Sequence, residues 1–289
     1  MWILVSVAGL NALCYPLITL GLRDAPPLAF AALRALTAGL ALTVPASLKR
    51  RALPRAARTW MMLAAIGLGT TTLGLLGMFV AGGLVAPGLA TVMGNTQPLL
   101  AAFLARCFLQ ERLHPRQRLG LLLGFAGIVI ISLPHLRGPG GARFERGLAY
   151  IALAVAGVAV GNVLMKAVRG RVDPLVAMAA QSLFGALPLA IATGVWEQPS
   201  AIIWSGRFVA SLLGLGLFAS ALGNWLWFSV LERVPLSRAN AFNFLTPLIG
   251  FTLGVAFYGE RLDPASIVGL SLTVTGIVLV ERARPAATP

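Results

Sequence analysis

Apolar residues along this chain come in long blocks, separated by short stretches rich in arginine, proline and acidic residues. A helix of about 20 mostly apolar residues crosses the hydrocarbon core of a bilayer. Backbone groups in lipid must be satisfied within their own segment, which favours helices. The pattern therefore predicts ten transmembrane helices over residues 2–22, 27–47, 60–82, 87–109, 117–134, 146–166, 173–195, 207–230, 235–258 and 264–281.

The composition agrees with a membrane protein. Of the 289 residues, 58% are hydrophobic and 11% are charged, whereas soluble globular domains carry roughly a quarter charged residues. The formal net charge of +14 would suit a nucleic-acid partner, but the Lys and Arg residues lie in gaps between apolar blocks. We therefore expect the lipid bilayer and no nucleic acid as a partner, and we interpret the charge as a topology signal.

The distribution of Lys and Arg between alternate loops predicts the orientation. With the N-terminus inside, fifteen of these residues lie in cytoplasmic loops and six in outer loops. Cytoplasmic loops carry the excess of positive charge, so both termini are predicted in the cytoplasm. The chain begins Met1-Trp2-Ile3-Leu4 without a basic stretch, so we expect no cleaved signal peptide and a retained first helix.

An internal repeat at an offset of 149 residues is the most informative feature. Residues 88–133 align without gaps to residues 237–282, with 15 identities in 46 positions. The alignment superposes the two Glu-Arg-Leu-x-Pro strings of the chain, which begin at Glu111 and Glu260, and it places Pro98 opposite Pro247. Shared apolar composition does not align charged strings in this way.

An odd number of helices in each repeat inverts the second repeat relative to the first. The predicted fold class is an all-α membrane protein with ten transmembrane helices, arranged as two inverted five-helix repeats around a central cavity. Inverted repeats of this kind build secondary transporters, with the substrate near the bilayer midplane. The predicted domains are a first repeat over 1–134, a connecting loop over 135–146 and a second repeat over 147–289.

The two repeats also resemble a known family. Each has a Pro in its fourth helix, a Glu-Arg-Leu-x-Pro string after it and a Gly-rich fifth helix ending Gly-Ile-Val. This combination resembles the EamA repeats of the drug/metabolite transporter superfamily over essentially the whole chain, most closely the bacterial amino acid and metabolite exporters of the YddG type. The resemblance implies export across a bacterial inner membrane through a cavity formed mainly by helices 1, 3, 4, 6, 8 and 9, with helices 5 and 10 at the periphery.

Amide and aromatic side chains on those helices are the candidate substrate-binding residues. Polar side chains within a membrane span are costly and usually face the protein interior or a cavity. The predicted set is Asn11, Tyr15, Phe79, Asn95, Gln97, Asn162, Asn224, Trp227, Asn243 and Phe244. Each has an alternative: an Asn can serve helix packing alone, and a Trp can belong to an interfacial belt.

Three other features have predicted roles in the helices. Pro98 and Pro247 are predicted hinges of alternating access, because each removes a backbone hydrogen bond near mid-span. Arg34, roughly 10 Å into the second helix at 1.5 Å per residue, is expected to snorkel outward or to bond backbone carbonyls, with a substrate role as the alternative. The triplet 70–72 of threonines is expected to pack or to bond the backbone.

The ionisable residues predict neither a cofactor nor a metal. All nine carboxylates lie in loops or at helix ends, so a membrane-embedded proton relay is not evident. His114 and His135 stand alone, and Cys14 and Cys107 fall within apolar blocks, a pattern unlike a metal site or a disulfide framework. We therefore expect no cofactor, and either facilitated export or a coupling route that the sequence does not display.

These patterns favour a monomeric secondary exporter of amino acids (neutral, aromatic or otherwise amphipathic) and related small metabolites. Amides can bond a carboxylate and an ammonium group, and rings can bury an apolar side chain. Export of drugs or other metabolites is the alternative. An enzyme is disfavoured, because the sequence shows no embedded Asp pair, Ser/His arrangement, His-Glu-x-x-His string or phosphate-binding loop.

Overall fold

The computed structural model describes residues 2–97, 100, 115–137, 141–168, 170–223, 225–226, 245–259 and 263–282. Within these residues every regular element is helical. The α-helices are α1 (Trp2–Ala12), α2 (Cys14–Gly21), α3 (Pro27–Leu48), α4 (Ala57–Ile66), α5 (Gly74–Gly82), α6 (Pro87–Gly94), α7 (Pro115–Arg137), α8 (Gly141–Val168), α9 (Pro174–Trp196), α10 (Gly206–Leu213), α11 (Leu245–Tyr258) and α12 (Pro264–Arg282). There are two π-helical stretches: π1 (Gly67–Leu73) joins α4 to α5, and π2 (Gly214–Leu222) follows α10. A 3-10 turn covers Pro199–Ala201.

Long apolar helices make this a multi-pass membrane protein. Four described helical spans are long and apolar enough to cross a bilayer: Pro27–Leu48, Ala57–Gly82, Gly141–Met165 and Pro174–Trp196. Shorter apolar helices accompany them over Val7–Gly21, Arg118–Ile131, Gly206–Leu222, Ile249–Tyr258 and Pro264–Gly276. Length and composition therefore agree with the blocks seen in the sequence.

Prolines set several of the helix starts. Helices α3, α6, α9 and α12 begin at Pro27, Pro87, Pro174 and Pro264, where the missing N–H of proline costs nothing. The predicted loop 135–146 is shorter in the structure, because α7 continues to Arg137 and α8 begins at Gly141. Exposed polar residues at the start of α8 can extend a helix beyond the apolar span, which hydropathy alone does not detect.

The two π-helical stretches are features that the sequence analysis did not predict. Both begin Gly-Leu-Gly, at Gly67 and at Gly214, an offset of 147 residues. Their second glycines lie against a neighbouring helix: a Cβ on Gly69 would be 2.7 Å from the Gly157 carbonyl oxygen, and one on Gly216 would be 2.7 Å from Thr37 Cγ2. Both π-helical stretches thus widen a helix at a Gly-Leu-Gly segment that crosses another helix closely.

Side chains tie the helices together at one end of the bundle, here called the Asp24 end. Asp24, between α2 and α3, accepts hydrogen bonds from Ser205 Oγ (2.6 Å) and Arg207 Nε (2.8 Å), just before and within α10. Glu197, after α9, accepts from the backbone N–H groups of Leu28 (2.9 Å) and Ala29 (2.8 Å). A carboxylate from the second half therefore caps the N-terminus of α3.

The opposite end of the bundle, here called the Lys49 end, holds a second ion pair. Arg51, just after α3, lies 3.3 Å from the Asp173 carboxylate. Asp173 also caps α9 by accepting a hydrogen bond from Leu175 N at 2.9 Å. The Trp60 indole donates to the Pro54 carbonyl oxygen at 2.9 Å. Helices α3 and α9 therefore run antiparallel between the two ends.

Aromatic rings fill the core between α2, α3, α5 and α10. The fully buried Phe30 makes edge-to-face contacts with Phe79 (centroids 4.9 Å apart) and Phe208 (5.0 Å). A second cluster joins α2, α6, α7, α8 and α11, and it includes Tyr15, Met93 and Phe251. Cys14 belongs to the first cluster and Tyr15 to the second. Helix α2 therefore joins the two clusters.

Glycines allow α7 and α12 to pack closely. A Cβ on Gly276 would approach Gly124 N at 2.5 Å, and one on Gly269 would approach the Gly127 carbonyl oxygen at 2.6 Å. Their outer faces carry exposed apolar side chains such as Leu122 and Phe125, as expected for residues facing lipid. The Gly120–Gly124 motif thus serves packing within the chain.

Candidate functional site

The structure describes six of the ten predicted substrate-binding residues. Asn11, Tyr15, Phe79, Asn95, Gln97 and Asn162 lie in the described part. Asn224, Trp227, Asn243, Phe244 and the hinge residue Pro98 lie outside the described residues. Pro247 lies within α11, but its side chain is outside the described part.

Tyr15 lies against the end of α6, at Gly94. Tyr15 is buried, and a Cβ on Gly94 would be 3.2 Å from its hydroxyl oxygen. Asn95, the next residue, donates from Nδ2 to the Thr91 carbonyl oxygen at 2.8 Å. The helix ends there because Asn95 and Thr96 form a turn, and Gln97 follows it.

Phe79 packs in the cluster that includes Cys14 of α2. It is fully buried between Phe30 and the guanidinium of Arg34, whose Cζ is 5.8 Å from the ring centroid. A cation over an aromatic face is attracted by the ring quadrupole. Phe79 therefore belongs to a packed cluster in this structure and lies beside the buried guanidinium of Arg34.

Asn11 and Asn162 are exposed, although each continues a packed helix face. Asn11 precedes the buried Tyr15 by one turn, and Asn162 follows the buried Val155 by two turns. Residues at these spacings share a helix face. Both faces are thus packed toward the Asp24 end and exposed further toward the Lys49 end.

Arg34 corrects one prediction of the sequence analysis. It neither reaches the surface nor bonds backbone carbonyls: the residue is only 6% exposed. Its Nε donates to Ser220 Oγ at 3.1 Å, and its Nη2 donates to Cys14 Sγ at 3.6 Å. Cys14 of α2, Phe79 of α5 and Ser220 of π2 thus contact the guanidinium.

Residues 24–39 resemble residues 173–186 more loosely, with a small gap, and in that match Gln181 in α9 stands opposite Arg34. Thr70 Oγ1, in π1, donates to Gln181 Oε1 at 3.1 Å. Thr72 Oγ1 donates to the Gly185 carbonyl oxygen at 2.8 Å, so the expectation that these threonines pack or bond backbone is confirmed. Arg34 contacts π2 as Gln181 contacts π1, which places equivalent residues in equivalent contacts.

Sequence reasoning did not select Arg34 or Cys14 as site residues. A signal was present: in the looser match of residues 24–39 to residues 173–186, a cation stands in one half where the other half has a neutral amide. A groove of about 210 Å³ between α3, α5, α8 and α9, lined in part by Leu76, Tyr150 and Glu197, contains no candidate residue. The polar groups within the bundle therefore define the candidate site better than this surface groove.

Three comparisons with known proteins bear on this site. The model of the EamA-like transporter family matches residues 1–133 and 145–282. The chain is 34% identical over 280 residues to the uncharacterized transporter YvbV of Bacillus subtilis (strain 168), covering 96% of this chain and 89% of that protein. It is 29% identical over 217 residues to the probable terminal-alkyne amino-acid exporter of Streptantibioticus cattleyicolor, covering 71% of this chain and 69% of that protein. A solved crystal structure is similar with a TM-score of 0.70 at 20% identity, covering 96% of this chain and 95% of that chain, a likeness of fold.

Proposed function

The chain belongs to the EamA-like transporter family, and from that membership we propose that it exports amino acids and related small amphipathic metabolites. The proposed architecture has ten transmembrane helices in two inverted five-helix repeats, 1–134 and 147–289, that alternate access to a site between them. The proposed location is a bacterial inner membrane, with both termini in the cytoplasm and the chain acting as a monomer. Relatives with assigned roles are transporters, so an enzymatic activity is not proposed.

The helix contacts support an inverted repeat. Helix α3 packs along α9, α6 along α11 and α7 along α12, and each pair joins equivalent positions of the two predicted halves. Contacts between equivalent elements are expected where a pseudo-two-fold axis passes between them. Likewise, α3 packs on π2 while α9 packs on π1. The same contacts thus occur twice, once from each half.

The packing also suggests which end of the transporter is closed. At the Asp24 end, Tyr258 donates to the Pro16 carbonyl oxygen at 2.6 Å, and the Asp24–Arg207 pair joins the loops. Asn11 and Asn162, further toward the Lys49 end, are exposed. In the proposed cycle, the substrate site of this conformation is closed at the Asp24 end, on the outer side of the membrane. It is open at the Lys49 end, which is assigned to the cytoplasm because it carries the excess of positive charge.

The amide and aromatic groups in the bundle carry the proposed substrate class. Tyr15, Phe79 and Asn95 lie within the same bundle, with Asn11 and Asn162 exposed beside it. Such a set suits a zwitterion with an apolar side chain. An amino-acid exporter among the relatives supports the same class. In the described residues, carboxylates lie at helix ends or in loops, which disfavours the alternative of cationic drugs.

Growth assays can separate these alternatives. Cells overexpressing the protein should survive toxic amino-acid analogues at concentrations that stop cells carrying the empty vector. An exporter of drugs would instead confer resistance to dyes or cationic antibiotics, with unchanged sensitivity to the analogues. That second pattern would refute the proposed substrate class and leave the transporter role intact.

A further inference from the structure

We propose that Arg34 and Tyr15 bind the carboxylate of the transported solute. The proposal rests on the proposed function and narrows it, because it makes a carboxylate group the feature that the site selects. It is carried by two buried polar groups, on α3 and α2, that have no hydrogen-bond partner among the described residues.

The charge of Arg34 is not neutralised by a described residue. Its Nη1 atom is buried and lacks a hydrogen-bond partner in the described part of the chain. Its other two contacts, Ser220 Oγ and Cys14 Sγ, are neutral. The carboxylates whose side chains the structure describes are held elsewhere or exposed: Asp24 binds Arg207, Asp173 binds Arg51, Glu197 caps α3, Asp263 caps α12 and Glu145 is exposed.

Tyr15 lies on α2, the helix whose Cys14 contacts Arg34. Its hydroxyl is buried and is also without a partner among the described residues. The hydroxyl lies near Gly94, at the end of α6. In the proposal, the carboxylate that accepts from Arg34 Nη1 also accepts from this hydroxyl.

Packing does not explain why this position carries a cation. Its counterpart Gln181 is also buried and makes the equivalent helix contact with a neutral amide, bonded to Thr70 at 3.1 Å. A buried charge without a counter-ion is costly, and an ionisable residue in a membrane span therefore indicates a functional site. A carboxylate would accept from Nη1 and from the Tyr15 hydroxyl and would cancel the charge.

The enclosing elements fit a role in transport. The guanidinium contacts side chains of α2, α5 and π2, which belong to predicted helices 1, 3 and 8. In alternating access these helices separate on one side and then on the other. Substrate would reach the guanidinium when they part, and the conformation described here keeps it closed.

Competition in proteoliposomes tests the proposal. The best-transported member of a labelled amino-acid panel would be loaded by counterflow. Its carboxamide, which lacks the carboxylate, and its des-amino acid, which lacks the ammonium, would compete unlabelled. For the wild type we expect the amino acid to compete about tenfold or more better than the carboxamide, the gain typical of a charge-assisted hydrogen bond. We expect the des-amino acid to compete as strongly as the amino acid itself. This result would separate binding of the carboxylate from recognition of the whole zwitterion.

Variants test whether the preference for the amino acid over its carboxamide depends on Arg34 and Tyr15. In Arg34→Gln, which copies Gln181, the ratio between amino acid and carboxamide should fall to about one. Tyr15→Phe should lower it several-fold by removing one donor. Arg34→Lys should also lower this ratio, since an ammonium lacks the planar fork of a guanidinium. If Arg34→Gln does not fold, Arg34→Lys tests the role of the guanidinium instead. The matched control is Arg143→Gln, an exposed arginine bonded to the Gly83 carbonyl, which should keep the wild-type ratio.

The possible failures are distinct. A wild type that transports amino acids but treats the carboxamide equally would overturn the role of Arg34 and leave the proposed function standing. Unchanged ratios between amino acid and carboxamide in Arg34→Lys and Tyr15→Phe would have the same consequence. A uniform loss of transport with an unchanged ratio would mean that Arg34 is structural. No counterflow of any amino acid by the wild type would overturn both proposals.

Discussion

At the residue scale, Asp24 shows how one carboxylate joins the two halves. Arg207 and Ser205 donate hydrogen bonds to it, and these bonds hold the pKa of Asp24 at about 2, below its usual value. Because the folded pKa lies below the unfolded value of about 3.9, the stabilisation is complete above pH 4 and is lost as pH falls from about 4 to 2.

The lowered pKa of Asp24 predicts a measurable pH dependence of stability. Asp24→Asn should lower the Tm in detergent at pH 6, and the difference from wild type should shrink as pH falls below 4. Arg207→Gln should produce the same loss, and the double variant should lose little more, because both changes break one interaction. Additive losses at pH 6, or a difference that persists at pH 2, would contradict the assignment.

Gly67 illustrates a residue chosen for close helix approach. A Cβ there would lie 2.6 Å from the Gln181 carbonyl oxygen and 3.0 Å from Gly185 N, both backbone atoms. Gly67→Ala should therefore cost about 1–3 kcal/mol of unfolding free energy, measured as a lower Tm. Gly194→Ala is the matched control in the facing helix, since a Cβ there meets nothing within 4 Å. Equal Tm values for the two variants would contradict the described crossing of π1 and α9.

At the element scale, the structure offers two kinds of bending point. The sequence predicts hinges at Pro98 and Pro247, and the structure adds π1 and π2, which lie at equivalent places in the two halves. Wide π turns are frequent at functional sites because they loosen the regular hydrogen-bond ladder. The proline hinges remain a prediction.

Substitution of the prolines tests that prediction. Pro98→Ala and Pro247→Ala each restore a backbone donor and straighten the helix, so transport should slow while substrate binding is kept. Pro45→Ala is the control, since Pro45 also lies inside a helix but near the Lys49 end of α3. Transport rates equal to wild type in both hinge variants would shift the hinges away from the prolines.

Much of the element pattern could be predicted from the sequence. The starts of α3, α6 and α12 follow from a proline at the head of an apolar block. The π stretches could not be predicted, because Gly-Leu-Gly in an apolar block also fits a straight helix. The setting of Arg34 could not be predicted either, since its contacts come from residues up to 186 positions away.

At the scale of the whole molecule, the orientation in the membrane is a prediction from charge. In a background with Cys14→Ser and Cys107→Ser, Ala142→Cys should react with an impermeant maleimide in intact cells, because the Asp24 end is predicted outside. Arg55→Cys, exposed at the Lys49 end, should react only after the membrane is opened. The reverse pattern would invert the proposed direction of the cycle.

Counterflow tests the central claim most directly: that this inverted-repeat bundle exchanges amino acids across a membrane. Proteoliposomes with purified protein would be loaded with unlabelled amino acids and diluted into a labelled panel. The account predicts transient accumulation of label for neutral and aromatic amino acids without an imposed pH gradient. Absence of counterflow for every amino acid, with transport of a dye or cationic drug by the same vesicles, would contradict it.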